Sequence, residues 1–252
     1  MSMEGVVTQY SNKIQVGVIG VGRLGYRHAT SVIRCRNARL RAIAEPNEER
    51  LDKASRELEA EKAFVSHEEL LHETLDALVI AAPTKKHFEI LEQAIRPGVS
   101  IFIEKPVTFT IEEAEKVVEL ARKHGVYVQV GCMRRFDPGH EAAKKMIEEE
   151  EIGEPIYFHD CQRDPHGPPK DYIPDSGGLF VDMGIHDLDC ARWLMNSEII
   201  EIYAKGGVYK HEYVGEMNDI DEGQMLLEFE NGKLGMIEVS RNANEMYDVR
   251  TE

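Results

Sequence analysis

Three short stretches of this 252-residue chain hold residue types whose spacing could support chemistry. Three glycines within positions 20–25 directly follow an apolar run. A lysine stands between a glutamate and a proline at positions 104–106. Asp182 precedes His186 by four residues. Glycine turns can bind phosphate, a lysine can stabilise developing negative charge, and a carboxylate beside an imidazole can move a proton. Whether these groups act depends on the elements that carry them.

The first stretch has the pattern of a dinucleotide-binding turn. Gly20 allows a tight turn, Gly22 lets the backbone approach a pyrophosphate, and Gly25 lets helix and strand pack closely. Glu45 follows Gly25 by about 20 positions, at the end of the next apolar run, where such folds place an acid. A carboxylate there accepts both ribose hydroxyls and repels a 2′-phosphate, which favours NAD over NADP. The alternative is a helix-capping acid before Pro46.

The other two stretches supply candidate acid/base groups. Lys105, just beyond a buried strand, would be partly desolvated at the rim of a cofactor cleft and could relay a proton; the alternative is a surface lysine. Asp182 and His186 share a helical face, so the carboxylate can orient the imidazole as a general acid/base. The alternative is a surface ion pair. We predict no metal site, because no third ligand stands at a standard spacing.

Alternating strands and helices position the first two stretches. Apolar runs and helical spacing alternate six times over about 130 residues, which predicts a doubly wound parallel sheet in a domain spanning 1–131. The predicted helices are Leu24–Arg34, Glu48–Leu58, Ser66–His72 with a Ser66/Glu69 capping box, Lys85–Arg96 and Ile111–Lys123. The predicted strands after the first are Leu40–Ala44, Phe64–Val65, Asp76–Ala82, Val99–Ile103 and Val126–Val130. Strand ends at 20–25, 82–84 and 104–106 are therefore the expected binding edge.

The pattern changes after Gly131, and residues 132–252 predict an α+β domain for substrate binding and oligomerisation. The predicted helices are Asp137–Ile152 and Gly178–Met195, and the strands are Ile156–Arg163, Ile199–Lys205, Gly223–Phe229 and Leu234–Ser240. Asn231-Gly232 predicts a type I′ hairpin turn. The chain ends at 250–252 without a further strand, so we expect a truncated, mostly antiparallel open sheet whose edge pairs with another copy.

Composition restricts the functional class. The net charge of −16 argues against nucleic acid as a partner, because phosphate-binding surfaces need clustered Lys and Arg. The four cysteines form no CxxC pair, which is typical of reduced thiols in the cytoplasm. The first thirteen residues lack a long apolar block, so we expect no signal peptide, and no run is long enough to span a membrane.

Three motifs together resemble the Gfo/Idh/MocA oxidoreductases: residues 17–25, Glu104-Lys105-Pro106, and Asp182-Met-Gly-Ile-His186. The stretch 131–137, Gly-Cys-Met-Arg-Arg-Phe-Asp, looks most like the inositol 2-dehydrogenase branch. The resemblance implies a cytoplasmic homo-oligomer, a dimer or tetramer, that transfers a hydride between a ring hydroxyl of a cyclic polyol or sugar and NAD. Family members are longer, and their further part completes the sheet used for subunit pairing.

The resemblance also implies residue roles. Lys105, Asp182 and His186 would be catalytic: His186 removes the hydroxyl proton, Lys105 hydrogen-bonds the reacting oxygen, and Asp182 fixes both. The implied cofactor-binding residues are Gly20, Gly22, Arg23, Leu24, Gly25, Glu45, Pro83, Thr84, His87, Glu104 and Lys105. The implied substrate-binding residues are Lys105, Met133, Arg134, Asp164, Asp182 and His186, with Arg163 on the same wall. Inositol enzymes tend to have a histidine and an asparagine within 162–164, so the particular polyol stays open.

Two alternatives remain at this stage. An NADP-dependent sugar or biliverdin-type reductase would share the fold and differ in its ribose contacts. A non-catalytic dinucleotide-binding regulator would also share the fold, but would have no chemical need to keep Lys105, Asp182 and His186.

Overall fold

Parallel strands alternate with helices through the first half of the chain. The structure, a computed structural model, describes residues 13–243 and 246–252, so the expectation about a signal peptide falls almost wholly outside the described residues. The chain divides into two units, Met1–Gly131 and Cys132–Glu252.

The first unit contains a six-stranded parallel sheet. Its strands are β1 (Ile14–Ile19), β2 (Ala38–Ala44), β3 (Lys62–Phe64), β4 (Ala77–Ile80), β5 (Ser100–Ile103) and β6 (Val128–Val130). The order β3-β2-β1-β4-β5-β6 confirms the predicted doubly wound sheet. The order reverses between β1 and β4, and ligands of such sheets bind at the carboxyl ends of the strands beside this reversal.

Five helices connect these strands. They are α1 (Arg23–Arg34), α2 (Glu48–Leu58), α3 (His67–Leu71), α4 (His87–Ala94) and α5 (Ile111–His124). Two apolar clusters cover the sheet, one built around Ile80 and Leu91 and the other around Val18 and Ile43. Since both faces are covered, the central strands β1, β4 and β5 are mostly apolar rather than alternating, which is why they could be predicted from the sequence.

Several local predictions for this unit need correction. The predicted helix at 85–96 is a 3₁₀ turn, Thr84–Lys86, followed by the shorter α4. The predicted strand at 64–65 lies at β3, where it pairs with the end of β2. Ser66 caps α3, but its hydroxyl oxygen accepts from the N–H of Glu68 and it bonds the Glu68 side chain, so Glu69 is not the capping partner.

The second unit contains a five-stranded mixed sheet in the order β11-β7-β10-β9-β8. Its strands are β7 (Tyr157–Arg163), β8 (Ile199–Gly207), β9 (Glu222–Phe229), β10 (Leu234–Ser240) and β11 (Asp248–Thr251). Three of its pairings are antiparallel, and β7 with β10 is parallel. The sheet is therefore mostly antiparallel, as predicted.

The prediction that no strand follows β10 is wrong. Residues Asp248–Thr251 form β11, which pairs antiparallel with β7. The N–H of Glu252 donates to the carbonyl of His159, and the N–H of His159 donates back to the carbonyl of Glu252. Backbone hydrogen bonds hold this strand, and its charged side chains gave no apolar alternation to detect.

The hairpin between β9 and β10 also differs from its prediction. Among residues 230–233, Gly232 alone has a positive φ, +76°. A type I′ turn requires positive φ at both central residues, so that prediction is wrong. The N–H of Gly232 donates to the carbonyl of Phe229 and the N–H of Phe229 donates to Lys233, which is the pattern of a longer loop with one left-handed glycine.

Helices accompany this sheet, and the helix at Ile185–Met195 packs against β7 and β10. They are α6 (Pro138–Glu148), α7 (Ile185–Met195) and the short α8 (Glu212–Glu216), which the sequence did not predict. The predicted helix at 178–195 begins as a π-helical turn, Phe180–Gly184, before α7. The core combines Leu194 and Met183 from this segment with Leu227 and Ile237 from the sheet.

Among the residues that the structure describes, no helix combines the length and apolar character needed to cross a membrane. All four cysteines, each within the described ranges, are free thiols.

Candidate active-site residues

The glycine turn after β1 is built so that two of its glycines cannot be replaced. Gly20 has φ +81°, and a Cβ there would lie 2.7 Å from the carbonyl oxygen of Ala81. A Cβ on Gly25 would lie 1.8 Å from the carbonyl oxygen of Gly20. These contacts bring the first turn of α1 directly against the turn and the end of β4.

Gly22 differs, because a Cβ added there would meet no atom within 4 Å. Gly22 is the N-cap residue of α1, so free N–H groups of the first helical turn begin at this point. A groove of about 460 Å³ runs past Gly22 and Tyr26, with Arg23 and Lys53 on its walls. Open space beside a helix N-terminus with cationic walls fits the pyrophosphate of a dinucleotide.

Glu45 lies at the carboxyl end of β2 and is buried, with its side chain 5% exposed. Its Oε2 accepts from the N–H of Val21 at 3.1 Å. Its Oε1 accepts from the N–H of Asn47 at 3.2 Å and from Arg50 at 3.1 Å. Asn47, not Glu45, caps α2. The acid is thus held against the glycine turn, where the sequence placed it.

The end of β4 carries three predicted cofactor-binding residues. Pro83 is exposed and Thr84 half-buried at the start of the 3₁₀ turn. His87 is buried, with Nδ1 2.8 Å from the carbonyl oxygen of Pro106 and Nε2 2.9 Å from that of Ala82. Burial lowers the pKa of His87 despite these two carbonyls. The imidazole therefore joins the end of β4 to the segment after β5.

That segment holds Glu104, Lys105 and Pro106, and the Lys105–Pro106 bond is cis. Glu104 Oε1 lies 2.6 Å from Nε2 of His28, and its Oε2 accepts from the N–H of Lys105 at 3.3 Å. Burial disfavours the ionised carboxyl, but the contact with His28 outweighs it and holds the pKa of Glu104 below its ordinary value. The carboxylate fixes the backbone that carries the half-buried Lys105.

In the second unit, Asp182 lies within the π-helical turn and His186 in the first turn of α7. The Tyr172 hydroxyl donates to Asp182 Oδ1 at 2.7 Å. Arg241 Nη2 lies 3.5 Å from Asp182 Oδ2. Single π turns inside helices occur frequently at functional sites. The carboxylate that the sequence predicted to act with His186 is therefore held by groups from two other segments.

The predicted substrate-binding residues of this unit have different surroundings. Met133 is 55% exposed on a 3₁₀ turn, Met133–Phe136. Asp164 is half-buried just after β7, where its N–H donates to the carbonyl of Ser240. Arg163 pairs with Glu238 at 2.6 Å across the sheet. Met133 and Asp164 keep accessible surface, and Arg163 is engaged in an ion pair.

Arg134 is buried, 5% exposed, inside this unit. Its guanidinium donates to Asp160 at 2.5 Å and to Gln162 at 2.7 Å, and it makes an ion-pair contact with Asp187 at 2.6 Å. These three contacts hold the buried guanidinium, and Arg134 thereby anchors the turn that carries Met133.

Asp187 and Asp160 are both fully buried beside this single guanidinium. Burial raises the pKa of Asp187 well above its ordinary value, and the neighbouring Asp160 carboxylate adds to the rise while Arg134 opposes it. A protonated Asp187 leaves one positive and one negative charge in the cluster, which avoids an uncompensated buried charge.

Three residues that were not predicted from the sequence support the predicted site residues. His28, Tyr172 and Arg241 each contact a predicted site residue from a distant segment. The sequence spacing from Arg241 to Asp182 follows neither helix nor strand periodicity, so no local pattern could have revealed the contact.

One group of possible metal ligands exists among the described residues, His67, Glu68 and Glu89. Lys86 Nζ lies 2.7 Å from Glu89, so this carboxylate already has a cationic partner. His67 and Glu68 lie in the first turn of α3, and Glu89 lies in the first turn of α4.

Both units match models of known families. Residues 14–132 match the model described as "Oxidoreductase family, NAD-binding Rossmann fold", and residues 140–252 match the "GFO/IDH/MocA C-terminal domain".

Individual relatives match over nearly the whole chain. The chain is 37% identical to the scyllo-inositol 2-dehydrogenase (NAD(+)) of Bacillus subtilis, over 96% of this chain and 71% of the relative. It is 36% identical to the myo-inositol 2-dehydrogenase of Thermotoga maritima, over 95% of this chain and 72% of the relative. The crystal structure of scyllo-inositol dehydrogenase from Lactobacillus casei with bound NAD(H) and scyllo-inositol matches with a TM-score of 0.89, at 31% identity, over 95% of this chain and 73% of that one.

Proposed function

Because the chain belongs to the Gfo/Idh/MocA oxidoreductase family, we propose that it is an NAD-dependent dehydrogenase that oxidises a ring CH–OH group of an inositol-like polyol or sugar. The observation that carries the proposal is the Asp182 carboxylate, held by Tyr172 and Arg241 four residues before His186. A fixed carboxylate near an imidazole is suited to removing a hydroxyl proton.

The first unit would bind the cofactor. The N–H groups at Gly22, Arg23 and Leu24, at the start of α1, would hold the pyrophosphate, and the open space beside Gly22 leaves room for it. The buried Glu45 would accept hydrogen bonds from the adenosine ribose. The chemistry supplied by the bound nicotinamide is acceptance of a hydride.

The remaining cofactor contacts would come from neighbouring strand ends. Pro83 and Thr84 lie after β4, and Glu104 and Lys105 lie after β5, on the edge where ligands of such sheets bind. His87 would contribute by holding these two segments together.

The catalytic groups would divide the work on the reacting hydroxyl. His186 would remove its proton, Lys105 would donate a hydrogen bond to the oxygen as negative charge develops, and Asp182 would orient the imidazole. Met133 and Asp164 would contact the substrate, and Arg134 would fix the turn that carries Met133.

A panel of substrates tests this function. Purified protein is incubated with NAD and each of several inositols and pyranoses, and NADH is followed by its absorbance. The proposal expects NADH formation with at least one inositol. NAD binding without NADH formation from any member of the panel would contradict it.

Arg50 favours a second candidate, an NADP-dependent reductase. Its side chain is half exposed and lies 3.1 Å from Glu45, at the place where a 2′-phosphate would need a cation. Titration with NAD and NADP separates the two candidates, and tighter binding of NADP would favour the second.

We also propose that the second unit supports a cytoplasmic homo-oligomer, a dimer or tetramer. Tyr203 and Leu226 pair across β8 and β9 and are exposed, as is the pair formed by Tyr157 and Leu234. An apolar sheet face of this kind is suited to association with another copy. The mass in solution tests the proposal, and a monomer at working concentration would contradict it.

A further inference from the structure

We propose that Tyr172 and Arg241 are positioning residues that hold the Asp182 carboxylate in its working orientation. The inference rests on the proposed function for Asp182. It adds two residues that come from outside the helical segment that carries Asp182.

Tyr172 reaches Asp182 from the loop after β7. Its hydroxyl donates to Oδ1 at 2.7 Å, a normal length for a bond to a carboxylate. The loop is fixed at this residue, because the N–H of Tyr172 donates to the carbonyl of Pro169 and its own carbonyl accepts from Asp175. Tyr172 is 45% exposed, so its ring contributes little to the core and its hydroxyl can be removed with little damage to packing.

Arg241 reaches the other carboxylate oxygen from the end of β10. Its side chain is 2% exposed, and Nη2 lies 3.5 Å from Asp182 Oδ2. Nη1 lies 2.6 Å from Asp219 Oδ2. The backbone of Arg241 is also anchored, since its N–H donates to the carbonyl of Asp221. The guanidinium fork therefore joins two carboxylates from separate segments.

Asp219 extends this connection to the start of the helical segment. Its Oδ1 accepts from the N–H of Leu179 at 2.9 Å and from its own neighbour Ile220 at 2.8 Å. Leu179 stands directly before the π-helical turn. Arg241 and Asp219 thus fix both the beginning of that turn and the side chain that it presents.

This arrangement explains how a carboxylate on a π turn keeps one orientation. The Tyr172 hydroxyl, a neutral donor, holds one oxygen of Asp182, and the Arg241 guanidinium, a cation from a different segment, holds the other. Rotation of the Asp182 side chain would therefore break one of the two contacts. An orienting carboxylate serves a general base only while its own position is fixed. Loss of either contact should therefore lower turnover more than it changes substrate or NAD binding.

Kinetics of Tyr172→Phe and of Arg241→Lys and Arg241→Met test the inference. Tyr127→Phe is the matched control, since Tyr127 is 67% exposed and lies directly before β6, at the end of that strand opposite to the proposed binding edge. We expect kcat with the best inositol to fall about tenfold in Tyr172→Phe, with KM for NAD unchanged. Arg241→Met should lose more activity, and Arg241→Lys should recover part of it because the charge remains. An unchanged kcat in Tyr172→Phe, or equal losses in both Arg241 variants, would overturn the inference.

A double-mutant cycle in stability tests the same contact without turnover. Urea unfolding is measured for wild type, Tyr172→Phe, Asp182→Asn and the double variant. A coupling between the two changes supports the contact, and additive effects would overturn it. If the wild type forms no NADH with any substrate, the proposed function fails, while the cycle still decides whether Tyr172 holds Asp182.

Discussion

The N–H of Val21 donates a hydrogen bond to Oε2 of Glu45 across 3.1 Å. This bond joins the glycine turn after β1 to the acid at the end of β2. The sequence links these two features only through a spacing known from dinucleotide-binding folds. With Asn47 and Arg50 on the other oxygen, the buried carboxylate has one preferred orientation. The acid that we propose to recognise the ribose is therefore held in place by the turn that would bind the pyrophosphate.

Replacing Glu45 with Gln should weaken NAD binding and reduce the preference for NAD over NADP. The amide keeps the size of the side chain but loses the charge that accepts ribose hydroxyls and repels a 2′-phosphate. We expect NAD affinity to fall about tenfold, which corresponds to about 1.4 kcal/mol. Fluorescence titration with both cofactors measures the change, and Glu48→Gln on the exposed start of α2 is the control. An unaltered ratio of the two affinities would contradict the assignment of Glu45.

Two alanine substitutions in the glycine turn should differ in effect, one lowering the stability of the fold and the other lowering NAD affinity. Gly25→Ala places a Cβ 1.8 Å from the Gly20 carbonyl oxygen, so it should destabilise the fold by about 2 kcal/mol or more. Gly22→Ala fills open space at an ordinary φ of −64°, so the unfolding midpoint should stay near wild type while NAD affinity falls. Thermal unfolding and NAD titration on both variants make the comparison. Normal NAD affinity in Gly22→Ala would show that the pyrophosphate does not bind beside Gly22.

Asp187→Asn should change the pH dependence of stability. A carboxyl group whose pKa is raised by folding binds its proton more tightly in the native state, so its contribution to stability declines as pH rises above the unfolded-state pKa. The asparagine variant does not titrate, and it should therefore become more stable relative to wild type between about pH 5 and about pH 7. Urea unfolding of both proteins across this range measures the difference. A difference that stays constant with pH would show that Asp187 is ionised in the folded protein.

The parallel sheet of the first unit could be predicted because its central strands β1, β4 and β5 stand out as mostly apolar runs between amphipathic helices. The family resemblance, which the comparisons confirm, follows from motifs that are short and continuous in the sequence. The strand β11 could not be predicted, because backbone hydrogen bonds to β7 form it and its short sequence with two charged residues shows no apolar pattern.

The burial of polar side chains also could not be predicted from the sequence. Nothing local to Arg134 indicates that its guanidinium is enclosed by Asp160 and Gln162, which are distant in sequence. Asp182 and His186 stand four residues apart, which is the spacing expected for one turn of an α-helix. Nothing in the sequence therefore distinguished the π turn before α7 from ordinary helix. Sequence spacing identified the candidate reacting groups, whereas the residues that hold them came from the fold.

The rate of NADH formation by Lys105→Met is the most direct test of whether this chain is a dehydrogenase that uses Lys105. The methionine keeps a long unbranched side chain at this half-buried position but removes the ammonium group that would stabilise the reacting oxygen. With an inositol that the wild type oxidises, we expect turnover to be abolished while NAD affinity, measured by titration on both proteins, stays near normal. Turnover at the wild-type rate in Lys105→Met would contradict it.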